Sequence, residues 1–354
     1  MIRPIHGGNL AWAAALADCP PQKILDFSAN INPLGPPKSV ITAMGENIGK
    51  ITAYPDTDYR ELRTAISEVH QIDPQWVLPG NGVSELLTWS GWELAKQELT
   101  CVLTPAFNDY WRCLRAFNAK IIKCPVVPGE NFADLPVPSL PVYYTQPGLL
   151  LNNPHNPTGL LFDRQTISFY LKEFGLVVVD ESFMDFLPPQ EQQSVISLVK
   201  DYPNLVVLRS MTKFYSLPGL RLGYAIAHPD RLQRWQKRRD PWPVNTLAAA
   251  AGVAALKDKY FHQQTWEWLS KARKKLFHDL AKLPGLTPIQ SSVNFLLVRS
   301  EKSCIEMQET LLKNNHILIR DCLSFPELGD RYFRVSVRSQ EDNKRLVQAL
   351  TAIL

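Results

Sequence analysis

A polar cluster follows an apolar run near the middle of the chain. Residues 205–208 have the composition of a buried strand, and Ser210, Thr212 and Lys213 come shortly after it. Arg221 stands eight residues beyond the lysine, after a Ser-Leu-Pro-Gly turn. A lysine amine condenses with aldehydes, while hydroxyl groups and a guanidinium bind phosphate. The spacing therefore suits a phosphorylated aldehyde cofactor, although a solvated basic loop could contain the same residue types.

Other polar side chains also stand where an apolar strand is predicted to end. Thr104, Asn152 and Asp180 each follow a short apolar run, as Ser210 does. These runs alternate with helical segments, which favours a parallel sheet covered by helices on both faces. Ligands of such sheets bind at the carboxyl ends of the strands. We therefore expect an α/β fold whose mostly parallel sheet carries the site at that edge.

Three residues of this pattern have two possible roles each. Asp180 could keep a pyridine nitrogen protonated, which makes the ring an electron sink, or it could cap a helix. Asn156 could donate to a ring oxygen or only shape the Asn-Pro-Thr-Gly turn. Arg334 alternates with apolar residues of a predicted strand and needs an anion on its face of the sheet. That anion could be a substrate carboxylate or a structural salt-bridge partner.

A second candidate anion site lies earlier in the chain. A short strand, residues 77–81, runs into Gly82, and a helical pattern continues from Val83 and Ser84. The free N–H groups and the positive dipole end of a helix N-terminus attract phosphate. A single glycine turn is weak evidence, and its value depends on the phosphate-binding groups near Lys213.

The pattern of elements changes after Pro243. Long helices and three further strands follow, which predicts a second, smaller α+β domain. We predict an N-terminal arm over residues 1–40 that joins the small domain, a large domain over 41–243 and a small domain over 244–354. Asp58 and Glu61 have the spacing of a capping box before a helix, and residues 125–148 are Pro-rich and loop-like.

Composition excludes several classes of protein. The 354 residues carry 38 basic and 34 acidic side chains, and a net charge of +4 is too small to predict a nucleic-acid partner. The basic run 231–239 could steer phosphate but is more typical of a solvated helix face. Six cysteines without C-x-x-C spacing and no apolar window of membrane-spanning length indicate a cytoplasmic protein with reduced thiols, no metal site and no membrane partner.

Four motifs carry a family resemblance. They are Asn-Pro-Thr-Gly at 156–159, Asp-Glu-Ser-Phe at 180–183, Ser-x-Thr-Lys at 210–213 and Pro-Gly-Leu-Arg-Leu-Gly at 218–223. In this order they resemble the fold type I, pyridoxal-phosphate-dependent aminotransferases over nearly the whole chain. The opening His-Gly-Gly-Asn and the run 26–35 are most similar to the L-threonine-O-3-phosphate decarboxylases of cobalamin synthesis. Those enzymes, like this sequence, have Phe where typical aminotransferases have Tyr, here Phe183.

The resemblance implies roles for the cofactor pyridoxal 5'-phosphate (PLP). Lys213 would bind its aldehyde, Asp180 its ring nitrogen and Asn156 its ring oxygen. Phe107 would stack on the ring, with Tyr110 the less favoured candidate. The phosphate cup would consist of Gly82, Val83, Ser84, Ser210 and Arg221.

The resemblance also implies substrate and partner contacts. Tyr54 would reach the cofactor phosphate of a neighbouring subunit, so a homodimer is expected. Arg334 would bind the substrate carboxylate with Asn32 nearby, while Arg320 and His6 would bind the substrate's own phosphate.

The expected reaction is decarboxylation of L-threonine O-3-phosphate to (R)-1-aminopropan-2-yl phosphate. A histidinol-phosphate aminotransferase or related amino-acid aminotransferase is the main alternative, because both chemistries use the same parts. A non-catalytic PLP-binding module is a remote alternative, since such proteins typically lack the lysine that is present here as Lys213.

Overall fold

The fold alternates helices and strands through most of the chain. The structure is a computed structural model that describes residues 3–126 and 146–354. In these residues the α-helices are α1 Leu10–Ala17, α2 Lys38–Asn47, α3 Arg60–His70, α4 Gly82–Leu94, α5 Asn108–Arg115, α6 Arg164–Glu173, α7 Pro229–Gln236, α8 Thr246–Lys257, α9 Lys259–Ala281, α10 Cys304–Asn315 and α11 Gln340–Ile353. Most of the Pro-rich segment that we predicted to be a loop lies outside the described residues.

The strands form three sheets. They are β1 Leu25–Asp26, β2 Val77–Asn81, β3 Thr100–Thr104, β4 Ile121–Pro125, β5 Gly148–Asn152, β6 Leu176–Asp180, β7 Leu205–Ser210, β8 Leu222–Ala227, β9 Leu286–Pro288, β10 Phe295–Ser300, β11 Ile317–Leu318, β12 Arg320–Asp321 and β13 Tyr332–Ser336. The largest sheet has the order β2-β8-β7-β6-β5-β3-β4. Its five strands β3 to β7 are mutually parallel, as predicted.

Strand β8 is the element of this sheet that we did not predict. It pairs antiparallel with both β7 and β2. The run from Leu222 to Ala227 is apolar, but it begins directly after the polar turn at Arg221. Its first two residues belong to the Pro-Gly-Leu-Arg-Leu-Gly motif, so we did not interpret the run as a strand. Pairing with β8 buries both edges of β7 and fixes the turn that contains Lys213.

The strands that lead to the candidate site are buried along their full length. Every residue of β3, β5, β6 and β7 is buried, so helices cover both faces of the sheet. Burying one Val or Leu side chain stabilises a fold by about 1.5–3 kcal/mol. These buried strands therefore hold the carboxyl edge of the large sheet in a fixed position. In the described part of the chain, no helix is both long and apolar enough to cross a membrane.

The C-terminal residues form a second layer of structure. Strands β12-β13-β10-β9 make an antiparallel sheet, and the N-terminal strand β1 pairs in parallel with β11. The first strand of the chain is thus paired with a C-terminal strand. The ranges of the arm and the two domains stay predictions.

The N-terminus of α3 differs from the predicted capping box. Its backbone N–H at Arg60 donates to the carboxylate of Asp56 at 3.1 Å, and Tyr59 takes the N-cap position in a left-handed conformation. Asp58 therefore does not cap the helix. The tight turn before α3 places Asp56 over the N-terminus of the helix.

A buried ion pair joins the carboxyl end of β7 to the residue that follows β6. Arg209 Nε lies 3.0 Å from Glu181 Oε2, and the two side chains are 1% and 0% exposed. Arg209 also contacts Asp185. Arg209→Leu is expected to lower the free energy of unfolding by about 3–5 kcal/mol, because the acidic partners stay buried without a counter-charge. Urea denaturation measures this loss.

Arg60→Leu is the matched control for that substitution. Its side chain is 79% exposed and its ion pairs lie on the surface, so it is expected to change stability little. Equal losses in the two variants would contradict a structural role for the buried pair.

Candidate active site

A cavity of about 320 Å³ opens at the carboxyl edge of the large sheet. The ends of β5, β6 and β7 contribute Asn152, Asp180 and Ser210 to its lining. The turn after β7 adds Lys213, and the C-terminal layer adds Arg334. Strand ends that are distant in sequence therefore meet at one place, as the alternation of strands and helices predicted.

Lys213 lies on a turn that is tied down at both ends. Met211 N–H donates to Leu222 O at 3.1 Å, and Asn32 N–H donates to the carbonyl of Lys213 at 3.0 Å. Burial lowers the pKa of the Lys213 amine to about 8, helped by the positive charges of Arg334 and Arg221. A lysine with a lowered pKa is a better nucleophile near neutral pH, because more of it is unprotonated.

Labelling with an amine-reactive reagent tests this property directly. At pH 7.5 about a quarter of Lys213 should be neutral, against about one part in a thousand for an ordinary lysine. We expect its acetylation rate, followed by mass spectrometry, to rise with a midpoint near pH 8. The urea-unfolded protein is the control, in which the midpoint should return to that of an ordinary lysine. An unchanged midpoint on unfolding would contradict the burial effect.

Asp180 is the buried carboxylate of the cavity. Its Oδ1 accepts a hydrogen bond from the Ser182 backbone N–H at 3.0 Å, and its Oδ2 accepts one from the Tyr110 hydroxyl at 2.8 Å. Burial raises the pKa of Asp180, while these hydrogen bonds oppose the rise. A cationic ligand beside this carboxylate would offset the cost of its burial.

A candidate anion-binding corner lies at the N-terminus of α4. Gly82 begins this helix with φ of +72°, a conformation that side chains rarely adopt. A Cβ at Gly82 would stand 2.5 Å from Nη2 of Arg221, so only glycine allows the guanidinium to lie against the helix end. Val83, Ser84 and Ser210 line the adjoining cavity wall. These donors converge as a phosphate group requires.

Arg334 faces the cavity from β13. Its Nη1 donates to Asn156 Oδ1, its Nη2 donates to Ser28 O at 3.2 Å, and its Nε is buried without a hydrogen-bond partner. Burial lowers the pKa of Arg334 to about 10. Among the described residues its hydrogen-bond acceptors are neutral, so the structural salt bridge that the sequence left open does not form. An anionic ligand would satisfy this guanidinium.

A second arginine of the C-terminal layer lies beneath the N-terminal residues. Arg320 donates to the backbone carbonyls of Pro4 and Ile5 and to the Ser324 hydroxyl, the last at 2.6 Å. The same segment brings His6 into the cavity, where its ring centroid lies 5.8 Å from that of Phe107. Burial, and next the Arg320 charge, lowers the pKa of His6.

Comparison with known proteins identifies the family. A scan against protein families matches residues 22–350 to Aminotransferase class I and II. Threonine-phosphate decarboxylase of Salmonella typhimurium is 40% identical over 361 residues, which cover 100% of this chain and 98% of that protein. The chain belongs to the aminotransferase class I and II family.

Other members of the family are also similar. Histidinol-phosphate aminotransferase of Symbiobacterium thermophilum is 32% identical over 94% of this chain and 91% of its own length. The crystal structure of the histidinol-phosphate aminotransferase from Clostridium acetobutylicum matches with a TM-score of 0.83 at 27% identity, covering 93% of this chain and 99% of that chain. The predicted α/β fold and the predicted family are confirmed.

The structure brings most of the predicted site residues of this family member together. Those that line the cavity are His6, Val83, Ser84, Phe107, Asn156, Asp180, Ser210, Lys213, Arg221, Arg320 and Arg334. Gly82 lies directly behind Arg221. Their individual roles stay predictions, but their convergence is what those roles require.

The Asn32 side chain does not line the cavity, although the Asn32 backbone N–H contacts Lys213. Its side-chain amide donates to Phe214 O and to Thr265 Oγ1, both at 2.9 Å, and its Oδ1 accepts from the Leu34 N–H at 3.1 Å. With its polar atoms engaged in the protein, Asn32 does not contact the cavity, and its prediction as a substrate ligand is corrected. Asn30 lines the cavity instead, and its Oδ1 is buried without a partner.

The reason for this error is local. The run Ser-Ala-Asn-Ile-Asn offers two asparagines two residues apart, and it forms neither a helix nor a strand. Side-chain direction therefore has no period from which to infer which asparagine faces the ligand. Sequence reasoning also missed Ser28, Ser182 and Ser324, which line the cavity.

Tyr54 lies outside the cavity of its own chain. It is 78% exposed and stacks on Trp242, with ring centroids 4.3 Å apart. This position leaves the predicted contact with a neighbouring subunit untested.

Proposed function

We propose that this protein is a PLP-dependent decarboxylase that converts L-threonine O-3-phosphate to (R)-1-aminopropan-2-yl phosphate for cobalamin biosynthesis. The observation that carries the proposal is the presence of Arg221, Arg320 and Arg334 in one cavity with Lys213. Arg221 suits the cofactor phosphate. The other two arginines then suit a substrate with a carboxylate and a phosphate, and threonine phosphate has both groups. The 40% identity to a threonine-phosphate decarboxylase supports the same conclusion.

The residues of the cavity fit PLP. Burial disfavours the charged form of the Asp180 carboxylate, and the pyridine nitrogen would provide it with a cationic partner. Asn156 Oδ1 accepts from Arg334, so its amide N–H groups are the donors left for the ring oxygen. The corner formed by Gly82 and Arg221 would hold the phosphate. Lys213 supplies the amine for the aldehyde.

The chain's residues would bind the substrate at two points. Arg334 would bind the carboxylate and Arg320 the phosphate, with His6 beside it. Two anchors fix rotation about the bond between nitrogen and Cα, an orientation effect worth several kcal/mol in principle. When bound, PLP supplies an aldehyde that condenses with the substrate amine and a cationic ring that accepts an electron pair released at Cα.

Bond orientation would then decide the reaction. Of the bonds to the substrate Cα, only one that stands perpendicular to the PLP ring can release its electron pair into the ring. If the two arginines hold the Cα–carboxylate bond upright, carbon dioxide leaves and Lys213 then delivers one proton to Cα. A Lys213 pKa of about 8 suits this exchange, because the amine both accepts and releases a proton near neutral pH. The product retains the amine and the phosphate.

Product analysis tests the proposal. Purified protein with added PLP and L-threonine O-3-phosphate is expected to release carbon dioxide and (R)-1-aminopropan-2-yl phosphate in equal amounts. A parallel incubation contains histidinol phosphate and 2-oxoglutarate. Transamination in that mixture, with no carbon dioxide from threonine phosphate, would refute the proposal and favour the aminotransferase alternative.

Removal of the Arg320 side chain should affect recognition of the substrate phosphate. Arg320→Ala is expected to lower kcat/KM for threonine phosphate by about 100-fold or more, because a buried phosphate would lose its charged partner. L-threonine, which has no phosphate, is the control substrate, and the variant should turn it over at the wild-type rate. Equal losses with both substrates would assign Arg320 to folding rather than to phosphate recognition.

We further propose that the protein is a homodimer. Apolar side chains are exposed at Ile41, Ile48 and Ile51 and at Trp242, on which Tyr54 stacks. Exposed apolar patches on soluble proteins often mark contacts with another protein. A second copy that covers this patch would bring its Tyr54 towards the neighbouring cavity. Light scattering should give twice the chain mass, and a monomer with full activity would contradict the proposal.

We also propose a cytoplasmic location. All six cysteines have free thiols in the structure, and four of them lie in the strands or helices of the core. Reduced, buried cysteines are typical of proteins from reducing compartments.

A further inference from the structure

Tyr110 is placed to act on the charge of Asp180. It lies on α5, is 0% exposed, and lines the cavity. Its hydroxyl donates to Asp180 Oδ2 at 2.8 Å. The sequence suggested Tyr110 only as a less favoured ring-stacking residue. Its hydroxyl instead contacts the carboxylate that faces the predicted position of the cofactor nitrogen.

The Asp180 carboxylate accepts hydrogen bonds from two separate elements. Besides Tyr110, the Ser182 hydroxyl and backbone N–H both donate to Oδ1, the backbone donor at 3.0 Å. The other charged groups that influence this carboxylate are Asp109, which opposes its ionisation, and Lys213, which favours it. The two hydroxyl groups are thus the neutral side-chain donors that lower its proton affinity, in addition to the Ser182 backbone N–H.

Hydrogen bonds of this kind favour one protonation state. A donor to a carboxylate stabilises the charged form and lowers its affinity for a proton, whereas burial does the reverse. A proton shared between Asp180 and a basic ring nitrogen would therefore stay on the nitrogen as long as the hydroxyl donors are present. Without them, burial would draw the proton towards the carboxylate.

We propose that Tyr110 is a positioning residue that keeps Asp180 ionised and thereby keeps the ring nitrogen of bound PLP protonated. The inference rests on the proposed function only in requiring that PLP binds in this cavity. Tyr110 does not have to touch substrate or cofactor for this role, since it acts through Asp180.

A purely structural role is the competing explanation. The Tyr110 ring packs edge-on against Phe107, with centroids 5.7 Å apart and planes at 89°. Tyr110→Phe keeps this ring contact and removes only the hydroxyl. The substitution therefore separates the effect on Asp180 from the effect on packing.

The absorbance of bound PLP provides the measurement. A positive ring nitrogen lowers the proton affinity of the nitrogen that joins PLP to Lys213, so loss of that charge raises the pH midpoint of the visible band. We expect Tyr110→Phe to raise the midpoint by about half a pH unit or more and to weaken PLP binding roughly threefold to tenfold. The kcat for threonine phosphate should fall while its KM changes less than about twofold.

Two further variants complete the experiment. Tyr59→Phe is the matched control, because the Tyr59 hydroxyl is buried, donates to Val244 O at 3.1 Å and does not line the cavity. Its midpoint should equal that of the wild type. Ser182→Ala removes the other hydroxyl donor and should raise the midpoint, as Tyr110→Phe does.

Each outcome is decisive. A wild-type midpoint in Tyr110→Phe, or an equal shift in Tyr59→Phe, would overturn the proposal. A wild-type midpoint in Ser182→Ala would contradict its premise that hydroxyl donors set the charge of Asp180, even if Tyr110→Phe did not fold. If wild-type protein with PLP shows no visible band at any pH, PLP does not bind to Lys213 and the proposed function fails instead, and this result is distinct from the others.

Discussion

Lys213→Ala is expected to lower the decarboxylation rate by about 10,000-fold, the largest effect of any single substitution. The variant loses the amine that would bind the PLP aldehyde and the group that would return a proton to Cα. Because the lysine lies on a turn held by Met211 and Asn32 backbone bonds, the fold should persist. The measurements are the rate of carbon dioxide release and the visible absorbance band of protein with PLP.

Lys123→Ala serves as the control for this substitution. Lys123 forms an exposed ion pair with Glu327 at 3.2 Å and lies outside the cavity. It should keep both the activity and the absorbance band. If Lys213→Ala kept more than a small fraction of activity, or if its band were unchanged, Lys213 would not be the residue that binds the cofactor.

Asp180→Asn is expected to have the second-largest effect, a loss of about 100-fold to 1,000-fold in kcat. Asparagine has the same shape, so the hydrogen bond from the Ser182 N–H can persist, but the negative charge is gone. The ring nitrogen would then lose the partner that keeps it cationic, and the ring would accept an electron pair less readily. Steady-state kinetics at saturating PLP measures the loss.

The control for the aspartate is Asp230→Asn on α7, whose side chain is 77% exposed. Its activity should equal that of the wild type. An Asp180→Asn enzyme with wild-type kcat would show that catalysis does not depend on a charged ring nitrogen, and it would also remove the basis for the role of Tyr110.

The parts of the site that follow apolar strands were predictable from the sequence. Asp180, Ser210 and Lys213 lie at or just after strand ends, and the carboxyl ends of parallel strands necessarily meet at one edge. Gly82 was predictable because strand, glycine and helix follow one another directly. In each case a local pattern and a general rule of topology were sufficient.

The parts that lie on irregular segments were not predictable in the same way. Asn32 was chosen over Asn30, and Asp58 over Asp56, because turns have no periodicity that relates sequence position to side-chain direction. Strand β8 was missed because its apolar run adjoins a polar functional turn. The hydrogen bond from the Tyr110 hydroxyl to Asp180 was not predictable either, because it joins α5 to the end of β6 across 70 residues of sequence.

The sequence by itself determined the alternation of strands and helices, the lysine motif and the family, because these depend on order along the chain. The tertiary structure alone decided which arginines share a cavity, that Arg334 has no acidic partner among the described residues, and that two hydroxyl groups contact Asp180. The physical reason is that charge and proton affinity depend on distance and burial in space. Neither quantity is encoded in the spacing of residues.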